Sequence, residues 1–145
     1  MAESYKTEQI RNIAVVGHAG SGKTTLIEAL LQKASAIPSA GAVQKGTTVC
    51  DFTDQEKRLH HSLDTATCHL EHDARHINLI ATPGYPDFMG RALGVLPAVE
   101  TAAIVVSGQA GVELVTQRMM DFTAERNLCR LIIVNQIDMD DINLH

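Results

Sequence analysis

The octet Gly17-His18-Ala19-Gly20-Ser21-Gly22-Lys23-Thr24 constrains this chain more than any other feature. It satisfies G-x-x-x-x-G-K-[ST], and its flanks are the ones that this spacing needs. Ahead of it, Ile10–Val16 is short, apolar and rich in β-branched residues, which predicts a buried strand. Behind it, residues 24–36 set Leu26, Ile27, Leu30 and Leu31 at helical spacing, with Pro38 just past the end. A strand, a loop of small residues and a helix in that order make a cradle for phosphate. Backbone N–H groups curl inward, the helix N-terminus adds partial positive charge, Lys23 reaches the β and γ phosphates, and the Thr24 hydroxyl ligates Mg²⁺. Gly17, His18, Ala19, Gly20, Ser21, Gly22, Lys23, Thr24 and the following Thr25 are therefore the first candidate nucleotide-binding residues.

The remaining pattern alternates strand and helix. Residues 35–62 mix glycine, proline, threonine and charge without sustained periodicity, predicting a long loop with at most a short helical turn. Ala66–His72 and Arg75–Ala81 read as the strands of a hairpin around Asp73 and Ala74. After the break at Thr82-Pro83-Gly84 come a predicted helix over 87–96, a buried strand at Thr101–Ser107, a helix over 112–126 and a further buried strand over 130–135. A last helix is expected to begin near Asp140, with Asp140 and Asp141 as its start signal. This order predicts an α/β fold of the P-loop NTPase kind, a mostly parallel sheet with one antiparallel hairpin and helices on both faces.

Composition narrows the surroundings. At 145 residues the chain suits one core. Its 12 basic and 17 acidic residues, net charge -5, lack the positive excess of a non-specific nucleic-acid binder, so no direct nucleic-acid site is expected. No apolar run approaches the roughly 18 residues of a membrane span and the N-terminus is not of signal-peptide type, so no membrane contact and a cytoplasmic location are expected. Cys50, Cys68 and Cys129 form no Cys-x-x-Cys pair, which argues against a disulfide framework or a zinc knuckle. His60, His61, His69, His72 and His76 are expected at solvent-exposed polar positions, and Met119 and Met120 in core packing.

The base is addressed by Asn135-Gln136-Ile137-Asp138, which follows an apolar strand and resembles the N-K-x-D element of guanine-nucleotide binders. Asp138 can accept from the N1 and N2 hydrogens of guanine, a donor pair that adenine lacks. Asn135 and Asp138 thus weigh against an ATPase or kinase.

The middle of the chain carries a wider likeness. Gly46-Thr47-Thr48-Val49-Cys50-Asp51-Phe52, Glu56-Lys57-Arg58 and the run from Ile77 through Thr82-Pro83-Gly84-Tyr85-Pro86-Asp87-Phe88 resemble switch I and switch II of elongation factor G and its paralogues. With the octet and Asn135-Gln136-Ile137-Asp138 at matching spacing, the resemblance covers residues 10–138. It is closest to the paralogous branch, because Tyr85 stands where the factor carries histidine. The resemblance implies a translation-factor-type GTP-binding domain over residues 1–145, with switch I at about 36–65 and switch II at about 81–92. It implies GTP and GDP as ligands, Mg²⁺ as cofactor, switching on the γ-phosphate, and the ribosome as partner of the full protein. Ala81, Thr82, Pro83, Gly84 and Tyr85 then join the nucleotide site. Gly84 and Tyr85 join Lys23 as catalytic candidates, and Ser62 joins Thr24 as a metal ligand. The chain is expected to be C-terminally truncated, ending before the S-A-[KL] loop and last helix of the family.

Four departures bear on activity. Ala81 replaces the aspartate of D-T-P-G and removes a charge from beside the metal. Gln136 replaces lysine, which is expected to lower affinity. Tyr85 replaces the water-positioning histidine, and Lys57-Arg58-Leu59-His60-His61-Ser62-Leu63 replaces E-R-G-I-T-I. Impaired hydrolysis is the expectation; the alternative is a non-hydrolysing interaction module that keeps the fold.

Overall fold

A computed structural model of the protein describes residues 5–139 and 142. Five strands, β1 Ile10–Val16, β2 Ala66–His72, β3 Arg75–Ala81, β4 Thr101–Ser107 and β5 Cys129–Asn135, form one sheet in the order β2-β3-β1-β4-β5. β1 pairs in parallel with β3 and β4, and β4 with β5, while β2 runs antiparallel to β3 across the Asp73-Ala74 turn. The helices are α1 Lys23–Lys33, α2 Asp54–Leu59, α3 Met89–Val95 and α4 Leu114–Glu125.

Alternation along the central strands explains the layering. Val15 on β1, Leu79 and Ala81 on β3, and Ala103 and Val105 on β4 pack with Ile27 and Leu31 of α1. Ala14, Val16, Ala102 and Ile104 point the other way, onto Ala92, Val115 and Met119 of α3 and α4. Strands apolar on both sides belong inside a parallel sheet, and helices on both faces complete the predicted α/β fold. Met119 is fully buried, as its helical spacing suggested, and Met120 packs at the edge of the same cluster.

The structure differs from expectation at three places. α1 stops at Lys33, because Ser35 takes φ 59° and the Ala36 N–H turns back to the Leu31 carbonyl. The helix expected over 87–96 is split into a 3-10 turn at Pro86–Phe88, α3, and a second 3-10 turn at Leu96–Ala98 that contains Pro97. The segment read over 35–62 as a long loop with at most a short helical turn holds a 3-10 turn at Val43–Lys45 and the six-residue α2, started by a capping box in which Thr53 and Glu56 satisfy each other's backbone N–H. The helix expected near Asp140, with Asp140 and Asp141, lies outside the described residues. Among the described residues no helix is long and apolar enough to cross a membrane.

Candidate functional site

The octet turns between β1 and α1, at the ends of the central strands where an α/β sheet places its ligand crevice. Gly22 adopts φ 85°, a left-handed conformation that favours glycine, and a Cβ there would collide with the Asn135 amide. Lys23 is buried, and its Nζ donates to the carbonyls of Gly17 at 3.0 Å and His18 at 2.7 Å. Burial pushes its ammonium down to about 8. Gly84 arrives from the end of β3 so closely that a Cβ would lie 2.5 Å from that Nζ and 2.6 Å from the Ala19 nitrogen. Only glycine brings the backbone of residue 84 to the mouth of the cradle.

His18 is held from behind by a contact that sequence reading missed. Its Nδ1 lies 2.9 Å from the Thr116 hydroxyl and its Nε2 3.9 Å from the Glu113 carboxylate, so α4 supports the loop from the far face. Burial holds the His18 imidazole below its usual range, against the pull of Glu113 and with the help of Lys23. The Ser21 hydroxyl caps the His18 carbonyl at 2.9 Å.

The guanine-type element is joined directly to the loop. Asn135 Nδ2 donates to the Ser21 carbonyl at 2.9 Å and Gln136 Nε2 to the Gly20 carbonyl at 3.0 Å. The Gln136 side chain thus ties the segment after β5 to the loop. Asp138 is exposed, and its carboxylate has no hydrogen bond or ion pair among the described residues.

A cleft of about 330 Å³ opens over these groups, lined by Ala19, Gly20, Gly22, Lys23, Thr24, Thr25, Thr82, Gly84, Tyr85 and Gln136, and roofed by Val43, Gln44, His60, His61 and Ser62. Gly17, His18, Ser21, Pro83 and Asn135 shape it from behind rather than line it. Ala81 is buried at the end of β3 among Val15, Ile27 and Leu79, and Thr82 donates to the Val15 carbonyl at 2.9 Å. The position where the family has its aspartate is therefore core here. His60 is exposed, as expected, at the rim of the cleft, whereas His61, expected at a solvent-exposed polar position, is half-buried and lines it, because α2 ends in a left-handed turn at His60 that folds the chain back over the cradle.

Three buried carboxylates hold that roof. Glu28 of α1 accepts from the N–H groups of Gly41 and Val49 at 2.7 and 2.6 Å. Asp51 accepts from the hydroxyls of Thr48 at 2.8 Å and Ser62 at 2.7 Å. Glu56 accepts from the Thr53 hydroxyl and the N–H groups of Thr53, Leu63 and Asp64. Burial pushes the Glu56 carboxyl up, but those donors outweigh it and leave it below its usual range. The Thr53-to-Glu56 spacing was visible in the sequence; the reach of Glu28 and Asp51 was not, since their partners lie in an aperiodic segment.

A glycine-rich turn between β1 and α1 at the ends of a mostly parallel sheet, tied to the segment after β5 and overlaid by the connection before β2, defines the P-loop GTPase fold. Residues 8–145 match the Elongation factor Tu GTP binding domain, and the chain belongs to that family of translation GTPases. It is 38% identical over 129 residues to the elongation factor G-like protein of Mycobacterium tuberculosis, covering 89% of this chain and 18% of that protein. The tetracycline resistance protein TetM of Enterococcus faecalis is 32% identical over 136 residues, 94% of this chain and 21% of that protein. A crystal structure of a Thermus thermophilus protein superposes with TM-score 0.86 at 40% identity, covering 90% of this chain and 20% of the other. The chain therefore spans about a fifth of the length of the proteins it matches.

Proposed function

We propose that this chain binds GTP and GDP with Mg²⁺ and changes conformation with the γ-phosphate, as the GTP-binding domain of an elongation-factor-G-like translation GTPase with slow hydrolysis. The observation that carries the reading is the double tie of Asn135 and Gln136 to the carbonyls of Ser21 and Gly20. It fixes a base-reading element against the phosphate cradle, so one ligand meets both. In this reading Lys23 takes the β and γ phosphates, the Gly84 N–H meets the γ-phosphate, and Asp138 takes the guanine edge. Residues 36–65 and 81–92 are the switches, with the ribosome acting through the longer protein.

The cleft suits Mg²⁺ in donor type. Thr24 and Ser62 offer hydroxyl oxygens, the hard ligands that this ion prefers. No carboxylate lines the cleft among the described residues, and Asp51 stands behind Ser62 rather than in the cleft. Thr24 and Ser62, with the nucleotide itself, would hold the ion, which would supply charge neutralisation at the phosphates. With Ala81 in the core, one anchoring charge is missing, which supports weak metal binding and slow turnover.

Calorimetry with GTP, GDP and ATP, with and without Mg²⁺, tests the reading. GTP and GDP are expected to bind at least about tenfold tighter than ATP, the discrimination that a buried polar mismatch supplies. Equal affinity for ATP would discard the guanine assignment, and no binding at all would leave the fold as an interaction module.

A further inference from the structure

We propose that His61, in the segment after α2, holds the attacking water of GTP hydrolysis in this site, the task that the family gives to the residue at position 85. This deepens the GTPase reading above and rests on it.

The place is set by Gly84. Because its backbone abuts Lys23 Nζ, the next residue, Tyr85, marks the γ-phosphate end of the cleft. The His61 ring lies against Tyr85, with ring centroids 4.6 Å apart and planes tilted by 53°. Both side chains line the cleft together with Lys23, Thr24 and Ser62. An imidazole from the roof therefore reaches the same end of the site as the phenol from the floor.

Its orientation is also set. His61 Nδ1 lies 2.9 Å from the Leu59 carbonyl, which can only accept, so Nδ1 carries the hydrogen. In the neutral ring Nε2 then presents a lone pair, and the ring makes no other hydrogen bond among the described residues. A fixed ring with one unspent acceptor is what positioning a water requires. His60 is a poorer candidate: it is exposed, its Nδ1 is turned to the Val43 carbonyl at 3.2 Å, and it makes no ring contact with Tyr85.

In the step itself the water oxygen bonds to the γ-phosphorus. The bond from that phosphorus to the bridging oxygen breaks with its electron pair left on GDP, and the water protons end on the released phosphate. His61 accepts a hydrogen bond from the water throughout and is unchanged at the end. Its contribution is orientation, and Tyr85 buttresses the ring.

The test is single-turnover hydrolysis at saturating GTP by the 145-residue chain, beside GTP affinity measured with a fluorescent analogue. His61→Ala is expected to slow hydrolysis about tenfold or more while affinity changes by less than about threefold. Added imidazole, or a second substitution Tyr85→His, is expected to recover much of the lost rate, which loss of a packing contact alone would not allow. A variant that hydrolyses at the parent rate overturns the proposal. So does a slow variant that neither imidazole nor Tyr85→His rescues, or a parent chain that binds GTP without hydrolysing it. A parent chain that fails to bind GTP overturns the underlying reading instead.

Discussion

Lys23 shows most sharply how one residue links burial to ligand choice. Burial pushes its ammonium down to about 8, whereas an unfolded lysine titrates at ~10.4. Between those values the unfolded chain holds more protons than the folded one, so the ligand-free protein gains stability as pH rises through that window. A phosphate reverses the preference by stabilising the ammonium. Nucleotide binding then takes up a proton above about pH 8, and affinity falls by up to about tenfold per pH unit there. In magnesium-free buffer we expect GDP affinity to be flat below about pH 7 and to decline above about pH 8, with proton uptake visible in calorimetry across buffers of different ionisation enthalpy. An affinity that stays flat to about pH 9.5 would show that Lys23 does not meet the phosphate. Asp138 carries a second prediction of this size. Asp138→Asn swaps an acceptor for a donor, which repels the guanine amino group and suits the 2-oxo group of xanthine. A mismatch of this kind costs about 1–3 kcal/mol. The variant is expected to lose about tenfold in GDP affinity and to gain for xanthosine diphosphate. Competition binding that left its preference unchanged would make Asp138 a turn residue only.

The element most poorly legible in the sequence is the one that completes the cleft. Residues 35–62 have no apolar periodicity, because what orders them is not an apolar stripe but Glu28, Asp51 and Glu56 accepting backbone N–H and hydroxyl groups. Such acceptors are read from a sequence only when the motif is local. Thr53 and Glu56, three apart, form such a local motif, whereas Glu28 sits in α1 and serves Val49 from 21 positions away. The strands were far plainer: β1, β2, β3 and β4 begin and end where the sequence places them, β1 and β4 on apolar, β-branched runs and β2 and β3 on either side of the polar Asp73-Ala74 turn. Glu56→Ala tests the role of these carboxylates. It strips the acceptor from the N–H groups of Thr53, Leu63 and Asp64, at a cost on the order of 1–3 kcal/mol. Hydrogen exchange is expected to accelerate over residues 41–65 while the amides of β1, β3 and β4 keep their protection. Uniform loss across the sheet would show that α2 belongs to the global folding unit instead. Acid should act in the same direction. The folded-state value of Glu56 is lowered, so its contribution is present above the usual carboxylate value and is lost as pH falls from there through the lower folded-state value. His61 and Ser62 follow directly after α2, so the same variant should also blunt any response of the cleft to GTP.

At the scale of the whole molecule the sheet is unevenly covered. β4 and the C-terminal halves of β1 and β3 are apolar on both faces and enclosed, which is why their apolar runs sufficed to predict them. β5 pairs with β4 along one edge only, and among the described residues nothing pairs with its other edge. Its sequence reads as a buried strand, yet Leu131, Ile132 and Val134 are 53%, 54% and 49% exposed. Ile137 and Met139, just past the strand, are exposed as well. Burial is a property of neighbours, and a strand's own residues cannot report whether both of its sides are filled. An unpaired apolar edge is a template for another chain. We therefore expect the 145-residue protein to self-associate at micromolar concentration and to bind a dye that reports exposed apolar surface. Ile132→Lys places a charge on that strand without touching Asn135 or Gln136, which anchor the site. The variant is expected to weaken association about tenfold or more, in line with how lysine protects natural sheet edges. Its GDP affinity should stay that of the parent, because the ties of Asn135 and Gln136 to the loop carbonyls are left in place. Sedimentation that found the parent chain monomeric across the micromolar range, with no dye binding, would show that the exposed face of β5 is not sticky enough to drive assembly.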